Sequence, residues 1–124
     1  MTDVLLATLA FYLLQLMLPN LIGVARGEIK PAFLFGGRDE TVEKSVPVLR
    51  AERASANIQE SLVVFLPLSV LAIIGDAATA EIATIWLGLR VAYLITYLTG
   101  VSYIRTFIWF ASVFCLGSMA LALV

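Results

Sequence analysis

Four stretches of this chain are too long, too apolar and too poor in charge to sit on the surface of a water-soluble domain. Val4–Ala25 runs 22 residues without a charged side chain, and Thr106–Val124 runs 19. Between them lie a span from about residue 47 to 75, uncharged from Ser61 to Gly75, and another from about 81 to 103. As helices rising about 1.5 Å per residue, all four can cross a hydrocarbon core roughly 30 Å thick. Composition agrees: 61% of the residues are apolar, the mean hydropathy is +1.00, and polar residues are too few to cover a soluble fold of 124 residues. The expected fold is therefore an all-α integral membrane protein, a single four-helix bundle over residues 1–124 with spans at about 3–25, 47–75, 81–103 and 106–124.

Several function classes fall away. Asp3 precedes the first apolar block with no basic residue before it and no clear A-x-A site after it, so that block is expected to remain as a span and not be cleaved as a signal peptide. The single cysteine, Cys115, allows no intrachain disulfide; without histidine, a protein-built zinc or haem site is not expected. A net charge of −1 and the lack of a glycine-rich phosphate loop argue against nucleic-acid or nucleotide binding. Six of the eight basic residues (Arg26, Lys30, Arg38, Lys44, Arg50 and Arg53) lie between the first two apolar blocks, and none lies between the second and third. Basic loops stay cytoplasmic, so both termini are expected on the non-cytoplasmic side, in a bacterial inner membrane or in the endoplasmic reticulum.

The polar residues inside the spans are the informative ones. Arg50, Arg53, Asn57 and Glu60 fall within an arc of roughly 80° on the second span. With the helix ending near Gly75, Arg53 lies roughly 33 Å from that end, at the cytoplasmic interface, and Glu60 roughly 22 Å from it, inside the apolar layer. On the third span Arg90, Tyr93 and Tyr97 lie within roughly 60° of one another, and Arg90 falls near mid-membrane. A charge there costs on the order of 3 kcal/mol, which a pair between Arg90 and Glu60 across neighbouring helices would offset. That pair is the structural reading of both residues. The functional reading is a pocket whose arginines suit an anionic, carboxylate-rich ligand, with Tyr93 and Tyr97 in its wall. Tyr103, by contrast, reads as a residue of the aromatic interface belt.

These residues resemble a known family. RAERASANIQE (residues 50–60) resembles the Arg-x-x-x-Asn-x-x-Glu signature of the MAPEG proteins (membrane-associated proteins in eicosanoid and glutathione metabolism), met here by Arg53, Asn57 and Glu60. LGLRVAYLITYLTGVSYIR (residues 87–105) is similar to the family's arginine–aromatic–tyrosine segment and the loop arginine after it. IGVAR places Arg26 like the arginine that closes the first helix. The resemblance implies a homotrimer that binds glutathione as co-substrate between protomers on the cytosolic side. It implies that Arg26, Arg53, Asn57, Glu60, Tyr93 and Tyr97 contact the tripeptide, that Arg50 adds a contact, that Arg90 braces Glu60, and that Arg105 stabilises the thiolate. A hydrophobic electrophile would arrive from the membrane lipids.

The residue types suit that ligand. Glutathione has two carboxylates, an α-ammonium group and peptide bonds, for which Arg26 and Arg53, Glu60 and Asn57 are apt partners. Two departures are visible: Ser61 stands where an aromatic often follows the glutamate, and the proline of this helix comes at Pro67, later than usual. Tyr93 stands where the prostaglandin synthase has histidine, so that activity is not expected. Two classes of function follow: a glutathione-dependent transferase or peroxidase, or a non-catalytic membrane binding or structural module with the same fold.

Overall fold

The computed structural model describes residues 1–37 and 43–124. Arg38, one of the basic residues of the first loop, lies outside the described residues. The described residues form five helices, α1 (Thr2–Ala25), α2 (Pro31–Phe35), α3 (Val46–Ile74), α4 (Ala80–Thr99) and α5 (Tyr103–Ala122), and no strands. All but the five-residue α2 are long and apolar enough to cross a membrane. At 29 residues α3 extends roughly 44 Å, longer than the hydrocarbon core is thick, and Arg50 and Arg53 lie in its first turns.

Helix α3 is the centre of the bundle. It packs on α1, α4 and α5, while α4 and α5 form a tight hairpin with the most extensive contact in the molecule. What turns inward differs from a soluble protein. The buried positions of α1 are Thr8, Gln15, Pro19 and Gly23, one face of small and polar side chains, while Leu6, Leu13, Leu14 and Leu21 lie outside. Lipid is as apolar as leucine, so nothing drives leucines inward, and small residues are chosen where helices must approach closely. The larger buried side chains gather in one cluster, Ile58, Leu62, Phe65, Ala83, Trp86, Cys115, Leu116 and Met119. At its centre Phe65 of α3 and Trp86 of α4 stack with ring centroids 4.0 Å apart and planes 8° from parallel.

Three of the spans end in the same way. After α1, Gly27 (φ +73°) donates to Val24 O and Glu28 donates to Gly23 O. After α3, Asp76 (φ +50°) and Ala77 repeat the pattern on Ile73 and Ala72; after α4, Gly100 (φ +82°) and Val101 repeat it on Tyr97 and Thr96. Each is a Schellman closure, which satisfies terminal carbonyls that lipid could not. The third closure explains the one clear boundary difference. The sequence reading ran the third span to about residue 103, whereas the left-handed Gly100 stops α4 at Thr99, and Tyr103 opens α5. Pro67, the late proline of this span, is exposed on an α3 that remains continuous from Val46 to Ile74.

The long loop is fastened to the bundle by Glu28. Its Oε1 accepts from Arg26 Nε at 3.1 Å and its Oε2 accepts from the backbone N–H of Ser45, the residue before α3, at 3.1 Å. These donors, the Ser45 N–H first, hold the Glu28 carboxyl below its ordinary pKa of 4.5. A depressed carboxyl contributes stability above its unfolded pKa and loses it as pH falls through the folded value. The melting temperature in detergent should therefore exceed that of Glu28→Gln at about pH 6, and the gap should close as pH falls through the lowered pKa of the folded carboxyl. A gap that persists unchanged into acid would show that the charge of Glu28 is not what fastens the loop.

Candidate functional site

A ladder of cations and rings climbs from the middle of the bundle to the start of α5. Arg90 is 1% exposed, and its Nη2 donates to Asn57 Oδ1 of α3 at 2.6 Å. Its guanidinium carbon lies 4.4 Å from the ring centroid of Tyr93, one turn further along α4. Tyr93 meets Tyr97 edge to face at 5.7 Å, and Arg105 lies over the Tyr97 ring at 4.4 Å. Both contacts fall in the range where a ring face attracts a cation, and more strongly away from water. The i, i+3, i+7 spacing of Arg90, Tyr93 and Tyr97 builds the α4 side of the ladder, and the three-residue turn Gly100–Ser102 brings the first turn of α5, with Arg105, back against it.

Beside the ladder are two neighbouring spaces. A pocket of about 230 Å³ is lined by Asn57, Tyr93, Arg105, Thr106 and Trp109. A mostly apolar groove of about 420 Å³ between α3 and α5 has Asn57, Glu60, Ser61 and Trp109 at one end and continues past Val64, Leu68, Val113, Leu116, Gly117 and Ala120. Asn57 and Trp109 line both, so the pocket that holds Arg105 and the apolar groove are neighbours. On the other flank of α3, against α1, lies a further pocket of about 310 Å³ that includes Asn20, Lys44, Glu52, Ser55 and Gln59.

The ladder and the two spaces bring Asn57, Glu60, Arg90, Tyr93, Tyr97 and Arg105 together. Arg26, Arg50 and Arg53 do not join them within one chain. Arg26 is paired with Glu28 at the end of α1, on the opposite side of α3 from α5. Arg53 is exposed on α3 and lines neither space. Arg50, read as a further ligand contact, turns toward the end of α4. Its Nη1 donates to Leu98 O at 3.4 Å, and its guanidinium covers Gly100 so closely that a Cβ there would stand 2.9 Å from Nη2. A cation on the last carbonyls of a helix suits the helix dipole, so Arg50 braces the turn that delivers Arg105.

The expected Arg90–Glu60 pair is not formed; among the described residues no ion pair involves either side chain. The stripe on α3 is about 80° wide, and its edges face different helices. Asn57 is turned toward α4 and meets Arg90, while Glu60 is exposed and lines the groove toward α5. Trp109 and Thr106 were missed, although Trp109 lies one helical turn after Arg105 and so shares its face. Gln15 was missed too; it is 2% exposed with its Oε1 unpartnered among the described residues, and one polar residue in an apolar block gives little signal.

The fold and site define a multi-pass integral membrane protein with an arginine-bearing pocket beside an apolar groove. The sequence model of the MAPEG family matches residues 4–124, and the chain belongs to that family. Comparison with curated proteins and with solved structures gave no match.

Two outcomes follow from the geometry. Asn57→Ala should lower stability by about 1.5–3 kcal/mol, the value of a hydrogen bond to a charged group. A double-mutant cycle of unfolding in detergent should show coupling between positions 57 and 90 and almost none between 60 and 90; the reverse pattern would restore the Glu60 pairing. Gly100→Ala should cost about 1–2 kcal/mol for its left-handed backbone, plus the clash with Arg50. In an Arg50→Ala background the clash part should disappear, which the difference between the two melting shifts measures.

Proposed function

We propose that this protein is a glutathione-dependent transferase or peroxidase that acts on hydrophobic electrophiles or lipid hydroperoxides. The observation that carries the reading is that the Arg105 pocket and the apolar groove lie side by side and share Asn57 and Trp109 in their walls. Family membership supports it, because members of the family commonly use glutathione. The tripeptide's sulfur would lie beside Arg105, and the lipophilic partner would enter along the groove from the bilayer.

The chemistry requires a thiolate. A thiol with a pKa near the ~8.5 of cysteine is only a few per cent ionised at neutral pH. The chain has no histidine to serve as a base, so electrostatic stabilisation by Arg105 is the economical route. A hundredfold gain in the thiolate-to-thiol ratio corresponds to about 2.7 kcal/mol. Tyr97 beneath the guanidinium limits its motion, and Asn57 offers an amide for a peptide bond of the ligand. The thiol proton leaves to solvent, and the sulfur then bonds the electrophilic carbon as its leaving group departs, or as a conjugated double bond shifts its pair and takes up a proton. With a hydroperoxide the sulfur attacks the outer oxygen, the O–O bond breaks to release the alcohol, and a second glutathione displaces water from the sulfenic acid to give the disulfide.

Arg26 and Arg53 suit the carboxylates of glutathione, yet one chain does not gather them at the Arg105 pocket. A homotrimer answers this: the α1–α3 flank of one protomer, with Arg26 and the pocket that includes Asn20, Lys44 and Gln59, would face the Arg105 side of the next. The basic first loop orients this site to the cytosol, with both termini on the other side.

Arg105 tests the proposal. Arg105→Lys should leave glutathione affinity, measured by calorimetry in nanodiscs, within a few fold, while conjugation of a hydrophobic electrophile falls by a factor equivalent to about 3 kcal/mol. Arg105→Ala should also abolish the ultraviolet thiolate signal that glutathione produces near neutral pH. Binding without any wild-type rate above that of free glutathione would identify a non-catalytic binding module instead.

A further inference from the structure

The turn after α1 is built to hold one side chain still. Gly27 supplies the left-handed backbone, and the amides of Glu28 and Ile29 both donate to Gly23 O, at 2.9 and 3.2 Å. Ile29 is 3% exposed and packed so closely on Gly23 that a Cβ at that glycine would stand 2.8 Å from its Cγ1. Glu28 therefore projects from a rigid base, and Ser45 N–H anchors one of its oxygens from across the loop. The other oxygen takes Arg26 Nε.

This second contact does little for the fold. Arg26 and Glu28 are two residues apart in one closed turn, the arginine side chain is 52% exposed, and an exposed pair between near neighbours adds little stability. What it does change is the freedom of the guanidinium. A long arginine loses considerable rotamer entropy when it binds a ligand, and a group already held by Nε has lost part of it beforehand. Glu28 engages Nε, and the terminal edge of the planar guanidinium, formed by its two outer nitrogens, is the edge that suits a second carboxylate.

We propose that Glu28 is a positioning residue, which presents the terminal nitrogens of Arg26 to a carboxylate of glutathione. The inference rests on the proposed function, in which Arg26 serves the site of a neighbouring protomer. Glu28 makes no contact with the ligand and acts only through Arg26. Its effect belongs to affinity and not to the chemical step, which takes place at Arg105.

The test is a cycle of glutathione binding by calorimetry in nanodiscs, with wild type, Glu28→Gln, Arg26→Ala and the double variant. Glu28→Gln should weaken binding about two- to tenfold, the range for ordering one long side chain, and raise KM in step with kcat nearly unchanged. In the Arg26→Ala background the same change should have no effect on affinity, because the residue it acts through is gone. Equal weakening in both backgrounds, or none in either, would overturn the positioning role while leaving the glutathione site intact. Normal binding by Arg26→Ala would remove Arg26 from the site and the inference with it; the Arg105 experiments would still judge the proposed chemistry. A measurement that needs no variant uses ¹⁵N-labelled arginine in the wild-type protein. Glutathione should shift the terminal nitrogens of Arg26 and leave its Nε bonded as before; a displaced Nε would overturn the proposal.

Discussion

A guanidinium at the centre of an apolar bundle has to be held by the bundle, because lipid offers it nothing. Arg90 meets this requirement with one short hydrogen bond to Asn57 and the face of Tyr93. The consequences spread outward. Asn57 is committed to α4, which fixes the rotation of α3, and that rotation turns Glu60 away into the groove beside α5. Tyr93 is committed beneath Arg90, which sets its edge against Tyr97 and so prepares the ring on which Arg105 rests. Unsatisfied groups remain on Arg90, whose Nε and Nη1 have no partner among the described residues. A residue of this cost, buried where insertion is unfavourable, is retained here as the support for everything above it in the ladder.

The membrane also explains why the bundle packs as it does. In water the leucines of α1 would have formed its inner face; here they face lipid, and Thr8, Gln15, Pro19 and Gly23 face the protein. Close approach of α1 to α3 through small side chains gives a firm flank, and the stacked Phe65 and Trp86 fill the wider gap between α3 and α4. Between α3 and α5 the contact is looser, and the apolar groove occupies that gap. Tight and loose contacts on different sides of one central helix thus decide where a hydrophobic molecule can enter.

The polar chemistry is concentrated at one end, where helices close on themselves. The Schellman turns after α1 and α4 each hold a residue with a further purpose: Glu28 fastens the long loop, and Gly100, without a side chain, makes room for Arg50. Arg50 on the carbonyl of Leu98 braces the short α4–α5 turn, and that turn sets Arg105 opposite Tyr97. An arginine that looks like one more ligand contact in a linear motif is, in three dimensions, a support for the arginine that faces the pocket.

Much of this was legible in the chain itself. Long uncharged blocks have few ways to satisfy their backbone in lipid, so span number, helical class and the absence of a soluble core follow from composition and length. Periodicity was enough to put Arg90, Tyr93 and Tyr97 on one face, and motif order pointed to the family. What only the tertiary structure decided was which neighbour each polar side chain meets. A stripe 80° wide leaves its two edges free to face different helices, and sequence spacing cannot say that Asn57 goes to Arg90 while Glu60 goes to the groove. Nor can it say that a left-handed glycine shortens α4 and lets Arg50 settle on the turn. Trp109 stayed hidden because an aromatic in an apolar span has the same sequence signature whether it faces lipid or a pocket. Helix faces are written in the local sequence, whereas the rotation of one helix against another is set by contacts between residues far apart along the chain.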